Sequence, residues 1–150
     1  MTAVATGLDQ MTLDLKEEMR VNAPIDKVFA ALVEELGPAN RNHDETPMPM
    51  MLEPWPGGRW FRDLGNGNGH LWGHVQAIKV PTLLEITGPL MMSFAVASNI
   101  QYRLKEVDGV TTITLKHSAL GLFPENFRVP LTQGWTLIMN RTRQRAEGGR

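Results

Sequence analysis

Apolar and charged residues alternate loosely from Leu13 to Val21, with Leu13, Leu15, Met19 and Val21 set among Asp14, Lys16 and Arg20; this is the pattern of an edge or half-exposed strand. Past Asn22 and Pro24 the period changes. Ile25, Val28, Phe29 and Leu32 recur at helical spacing up to Leu36, where Gly37-Pro38 ends the run. Ala39 to Pro49 is polar, carries two prolines and runs into the methionines Met48, Met50 and Met51. It reads as a loop with one helical turn. After Pro54, Pro56 and Gly57-Gly58 come short alternating runs separated by turn residues, as in an antiparallel meander. The pattern predicts strands over 59–64, 70–80, 82–87, 96–106 and 110–119. Gly65-Asn66-Gly67-Asn68-Gly69 and Asp108-Gly109 supply residues that take the positive φ angles tight hairpins need. A loop over 120–128 leads to Pro130, suited to the first position of a helix, and Leu131, Trp135, Ile138, Met139 and Thr142 make one face of that helix.

Strand, helix, five or six antiparallel strands and a long last helix form an α+β order whose sheet has one face to cover, and the last helix is the cover. No internal repeat, low-complexity tract or linker divides the chain. Residues 1–150 are therefore expected to form a single domain with its core at about 13–145 and flexible ends. A chain of 150 residues and 16.7 kDa buries about 70% of its unfolded surface on folding, enough for one core.

Composition removes several chemistries. There is no cysteine, so disulfides, thiolate zinc sites, iron–sulfur ligation and cysteine nucleophiles are out. The N-terminus has no basic region followed by an apolar stretch, and nothing approaches a membrane-spanning length of about 20 apolar residues, so cytoplasmic residence and no transmembrane segment are expected. A formal charge of −1 gives no reason to expect a nucleic-acid partner. The basic tail Arg141, Arg143, Arg145 and Arg150 is read as a solvated helix face. His70 and His74 share a strand face, but four residues of strand span roughly 13 Å, too far for one metal ion; no metal and no cofactor are expected. The run from Gly65 to Gly69 lacks the following helix a phosphate loop needs, and no serine sits in a G-x-S-x-G elbow.

Several short segments, in order, carry a resemblance. They are Ala23-Pro24-Ile25-Asp26-Lys27-Val28-Phe29, Gly57-Gly58-Arg59-Trp60, Gly73-His74-Val75 with Pro81 and Leu83-Leu84, Lys116-His117-Ser118, and Gly134-Trp135. The chain resembles the START and polyketide-cyclase superfamily (SRPBCC), and within it the domains similar to the activator of heat-shock-protein ATPase (AHSA-like). The resemblance implies a helix-grip fold, a curved antiparallel sheet of about six or seven strands wrapped around the long C-terminal helix, with a cavity between them. It implies no single activity.

Strand alternation sorts the residues that would line such a cavity. Over 96–106 the inward set is Val96, Ser98, Ile100, Tyr102 and Leu104, opposite Asn99, Gln101, Arg103 and Lys105. Over 110–119, Ile113, Leu115 and His117 share the inward face. Over 70–80 the apolar set is Leu71, Gly73, Val75 and Ala77, with Trp72 opposed, and Phe61 is the inward choice from the strand before. Trp135 and Met139 form the helical lid. The expected ligand contacts are thus Phe61, Leu71, Val75, Ser98, Ile100, Tyr102, His117, Trp135 and Met139. His117 can orient a ligand or move a proton, or be a core histidine bonded to backbone or water. The methionines Met48, Met50, Met51, Met91 and Met92 suit either an adaptable mouth or an irregular core.

The first function these residues suggest is a binding protein for a small apolar or aromatic molecule. The alternatives are a polyketide cyclase or dehydratase-like enzyme with His117 moving a proton, and a co-chaperone-like interaction domain. Outward-pointing Trp60 and Trp72 would add a homodimer through the sheet face.

Overall fold

The computed structural model describes residues 7–122 and 124–148. A short helix α1 (Gly7–Met11) leads into strand β1 (Thr12–Val21) and helix α2 (Ile25–Leu36). Then come β2 (Met51–Leu52), β3 (Arg59–Gly65), β4 (Asn68–Lys79), β5 (Leu83–Gly88), β6 (Val96–Val107) and β7 (Val110–Gly121). The 3-10 turn Glu125–Phe127 precedes helix α3 (Arg128–Gly148). These seven strands make one antiparallel sheet in the order β1-β7-β6-β5-β4-β3-β2. The arrangement is the α+β helix-grip architecture that the sequence predicts; α1 and the two-residue β2 are additions to it. Among the described residues no helix is long and apolar enough to cross a membrane.

Local chemistry accounts for the hairpins. Asn66 and Gly67 join β3 to β4 with φ of 56° and 78°, and Asp108 and Gly109 join β6 to β7 with φ of 51° and 81°. Two central residues at positive φ give the turn whose twist matches the flanking strands. Between β6 and β7 the register sets Ile100 opposite His117, Tyr102 opposite Leu115 and Leu104 opposite Ile113. All six are buried, on the face predicted for them.

β4 departs from simple alternation. Trp60 pairs with Gly73 but Phe61 with Leu71, which leaves Trp72 as the extra residue of a β-bulge; Gln76 is a second, between the pairs Val75–Ile86 and Ala77–Glu85. The first bulge turns Trp72 into the core, 7% exposed, and leaves Leu71 46% exposed. Phe61 follows Leu71 to the outer face, where the Arg59 guanidinium lies 4.6 Å from its ring centroid. Phe61 and Leu71 therefore do not face the interior, contrary to the expectation from strand parity. Trp60 and Trp72 meet edge to face inside, centroids 5.0 Å apart, so neither offers the outward surface on which a sheet-face dimer would rest. The bend is close-packed: a Cβ on Gly73 would stand 2.5 Å from the Thr87 carbonyl oxygen.

The helices are tied to the sheet at their ends. Pro24 at the α2 N-cap makes no side-chain cap, and the first helical amide, that of Ile25, donates instead to Glu106 Oε1 at 2.8 Å. At the other end, the Trp60 indole Nε1–H donates to the Leu36 carbonyl at 2.8 Å in a buried bond. The basic tail is not a uniformly solvated face. Arg141 is 4% exposed and Arg145 Nε donates to the buried Glu35 at 2.7 Å, while Arg150 lies outside the described residues.

Trp60→Phe keeps an aromatic ring but orphans the Leu36 carbonyl and leaves a small void. It is expected to cost about 2–3 kcal/mol in urea unfolding, with the slope of the transition unchanged.

Candidate functional site

Helix α3 lies against the β1 and β7 side of the sheet, and two consecutive residues anchor it. The Trp135 indole donates to His117 Nδ1 at 3.0 Å, ring edge to ring face with centroids 5.5 Å apart. The Thr136 hydroxyl donates to Glu17 Oε2 at 2.6 Å. Glu17, His117 and Tyr102 surround Leu115 on the same sheet face, because Leu115 pairs with both Glu17 and Tyr102 and precedes His117 by two residues. Sequence parity singled out His117 and Tyr102 but not Glu17, whose charge in a loosely alternating strand reads as exposed.

The polar atoms of this face are incompletely used. His117 Nε2, the Tyr102 hydroxyl and Ser98 Oγ are buried without a hydrogen-bond partner. Since Nδ1 accepts from Trp135, the proton of the neutral imidazole sits on Nε2, so all three groups are able to donate. Burial lowers the His117 pKa to about 4, and burial together with the Glu17 carboxylate raises that of Tyr102. Both are neutral at ordinary pH.

On the opposite flank α3 leaves a recess of about 720 Å³, within the range of small-molecule sites. Leu131, Gly134, Leu137, Ile138 and Arg141 of α3 form one wall. Asn40, Arg41, Asn42, His43 and Met48 form the facing wall, with Trp72, Met91 and Phe127 closing it. The facing wall is a small hairpin: Arg41 and Pro47 form an isolated bridge, and the Asn42 amide donates to the Thr46 carbonyl at 2.8 Å. Arg141 pins it, donating to the carbonyls of Arg41 (2.8 Å) and Asn42 (2.7 Å) and to Glu45 Oε2 (2.7 Å). That last bond holds the Glu45 carboxyl below its usual pKa.

Of the nine residues expected to contact a ligand, none lines this recess. Val75, Ser98, Ile100, Tyr102, His117, Trp135 and Met139 are buried, whereas Phe61 and Leu71 sit on the outer face. Met48 and Met91 border the recess; Met50 and Met92 are buried and Met51 is exposed. The residues that sequence reasoning passed over are Trp72, the 40–43 segment, Gly134 and Arg141. For the helical ones a signal existed: Gly134, Ile138 and Arg141 recur at intervals of four and three on one face.

The His117 shift predicts a pH dependence of stability. The unfolded chain takes up the imidazole proton near pH 6.5 and the folded chain only near 4, so between these values the unfolded state binds more protons. This contribution is complete above pH 6.5 and is lost as pH falls toward 4, by about 3 kcal/mol. His117→Asn keeps an acceptor at the Nδ1 position for Trp135 but does not titrate; its unfolding free energy should fall less than that of the parent across this range.

No family model and no curated sequence matches the chain. Solved structures do. CalU16 from Micromonospora echinospora is 20% identical with a TM-score of 0.62, over 87% of this chain and 72% of that one. The Aha1 dimer from Colwellia psychrerythraea is 14% identical with a TM-score of 0.67, over 92% and 98%. The di-domain ARO/CYC BexL from the BE-7585A biosynthetic pathway is 16% identical with a TM-score of 0.67, over 93% of this chain and 51% of that one. A sheet of this order closed by α3, shared along most of the chain with these proteins, gives the molecule the helix-grip fold.

Proposed function

We propose that this chain binds a small apolar or aromatic molecule in the recess between α3 and the 40–48 hairpin. The observation that carries the reading is Gly134. A glycine inside a helix costs about 1 kcal/mol relative to alanine, yet a Cβ built here meets no atom within 4 Å. Nothing in the packing demands glycine, the residue borders the recess, and a bare backbone there lets a flat ligand lie against α3. Leu131, Leu137, Ile138 and Trp72 supply apolar contact area, and the thioethers of Met48 and Met91 adapt to a ligand's outline.

A second reading, a cyclase or dehydratase-like enzyme, draws on the partnerless donors of Ser98, Tyr102 and His117. Neutral donors in an apolar interior could stabilise charge developing on a substrate carbonyl. Val75, Ile100, Trp135 and Met139 would then be the apolar wall around the reacting group. In that case Tyr102→Phe would lower turnover while leaving ligand affinity nearly unchanged, and its stability would not suffer, since the hydroxyl lost has no partner.

Gly134→Leu tests the primary reading. The leucine fills the recess and favours the helix, so the melting temperature should hold or rise while affinity for an apolar aromatic ligand, measured by fluorescence titration, falls about tenfold or more. Unchanged affinity in a folded Gly134→Leu variant would remove the recess from ligand binding.

A further inference from the structure

The recess is amphipathic along its length. Its apolar part follows α3 from Leu131 to Ile138 and includes Trp72 and Phe127. Its cationic part is gathered at one end, where Arg141 meets the backbone of Arg41 and Asn42 and where Asn40 and His43 also stand; Gln133, an uncharged amide, is the polar residue at the other end. Among the described residues no aspartate or glutamate lines it. The nearby acids lie outside the lining: Asp44 Oδ1 accepts from the Thr46 amide at 3.0 Å, and Glu45, its side chain 59% exposed, accepts from both Arg41 and Arg141. Arg141, by contrast, has a side chain only 4% exposed and a buried Nε–H with no partner. A guanidinium whose counter-charge among the described residues is a shared and solvent-exposed carboxylate leaves positive potential at its buried side.

From this arrangement we infer that the ligand is an amphiphile with an anionic head, the head seated at the Arg141 and Arg41 end and the apolar body lying along α3. The inference rests on the proposed binding role of the recess and specifies its ligand class. From Leu131 to Arg141 the helix rises about 15 Å, which sets the length of the body that can lie flat before the head reaches the arginines. Carboxylate, sulfonate and phosphate heads share the needed chemistry, since each presents paired oxygens to a guanidinium.

The test compares two probes of the same shape on the full chain: anilinonaphthalene sulfonate and its uncharged parent, N-phenylnaphthylamine. The sulfonate should bind roughly fivefold tighter, the scale of a partly exposed ion pair. Arg41→Gln should reduce that preference and Glu45→Gln, which frees both arginines, should increase it, with the uncharged probe indifferent to either change. Arg41 and Glu45 are used because Arg141 also holds the hairpin in place. Equal binding of the two probes, both lost in Gly134→Leu, would overturn the anionic head while leaving the recess as a binding site. A sulfonate preference that survives Gly134→Leu would also overturn it, by placing the charge effect elsewhere. Failure of both probes to bind would overturn the binding role itself and this inference with it.

Discussion

The constraint on which the structure depends is that one helix must cover a sheet wider than itself. Seven strands about 4.8 Å apart span close to 29 Å, and a helix with its side chains is only about 10–12 Å across. Curvature narrows the difference without closing it. α3 resolves it asymmetrically: it is bound to the β1 and β7 side through Trp135 to His117 and Thr136 to Glu17, α2 packs beside it, and the remaining flank is roofed by the 40–48 hairpin. The recess is what this covering leaves. Its position is set by the two anchors, because shifting α3 across the sheet would break both.

The same anchors explain why polar groups are tolerated in the interior. Glu17 and His117 each have a partner on α3, so the helix satisfies part of their hydrogen-bonding capacity while it covers the sheet. Ser98 and Tyr102 have no such partner, and a buried polar group left alone costs about 1–3 kcal/mol. Phenylalanine and alanine would fill the same space at no such cost.

Arg141 links the two halves of the molecule in another way. It lies nearly a hundred residues from the hairpin it holds, and its bonds to two backbone carbonyls define where the facing wall of the recess stands. A long cationic side chain near the end of a helix usually reads as solvent-facing. Here it is buried because the hairpin folds over it and presents carbonyl oxygens to it.

What the sequence determined alone is whatever depends on neighbours in the chain. The two-residue turns at Asn66-Gly67 and Asp108-Gly109 follow from residues that accept positive φ, and the inward faces of β6 and β7 follow from a side-chain period of two that nothing interrupts. Helices α2 and α3 follow from apolar spacing and the stop at Gly37-Pro38, although α3 begins at Arg128, two residues before Pro130. The tertiary structure alone decided the rest. The bulges at Trp72 and Gln76 moved Trp72 inward and Phe61 and Leu71 outward, because a bulge is a mismatch between two strands and leaves no mark in the periodicity of either. The recess, too, is made where a hairpin at 40–48 meets a helix at 131–141, and only the packing of distant segments brings an arginine, a bare helical glycine and a tryptophan to the same space.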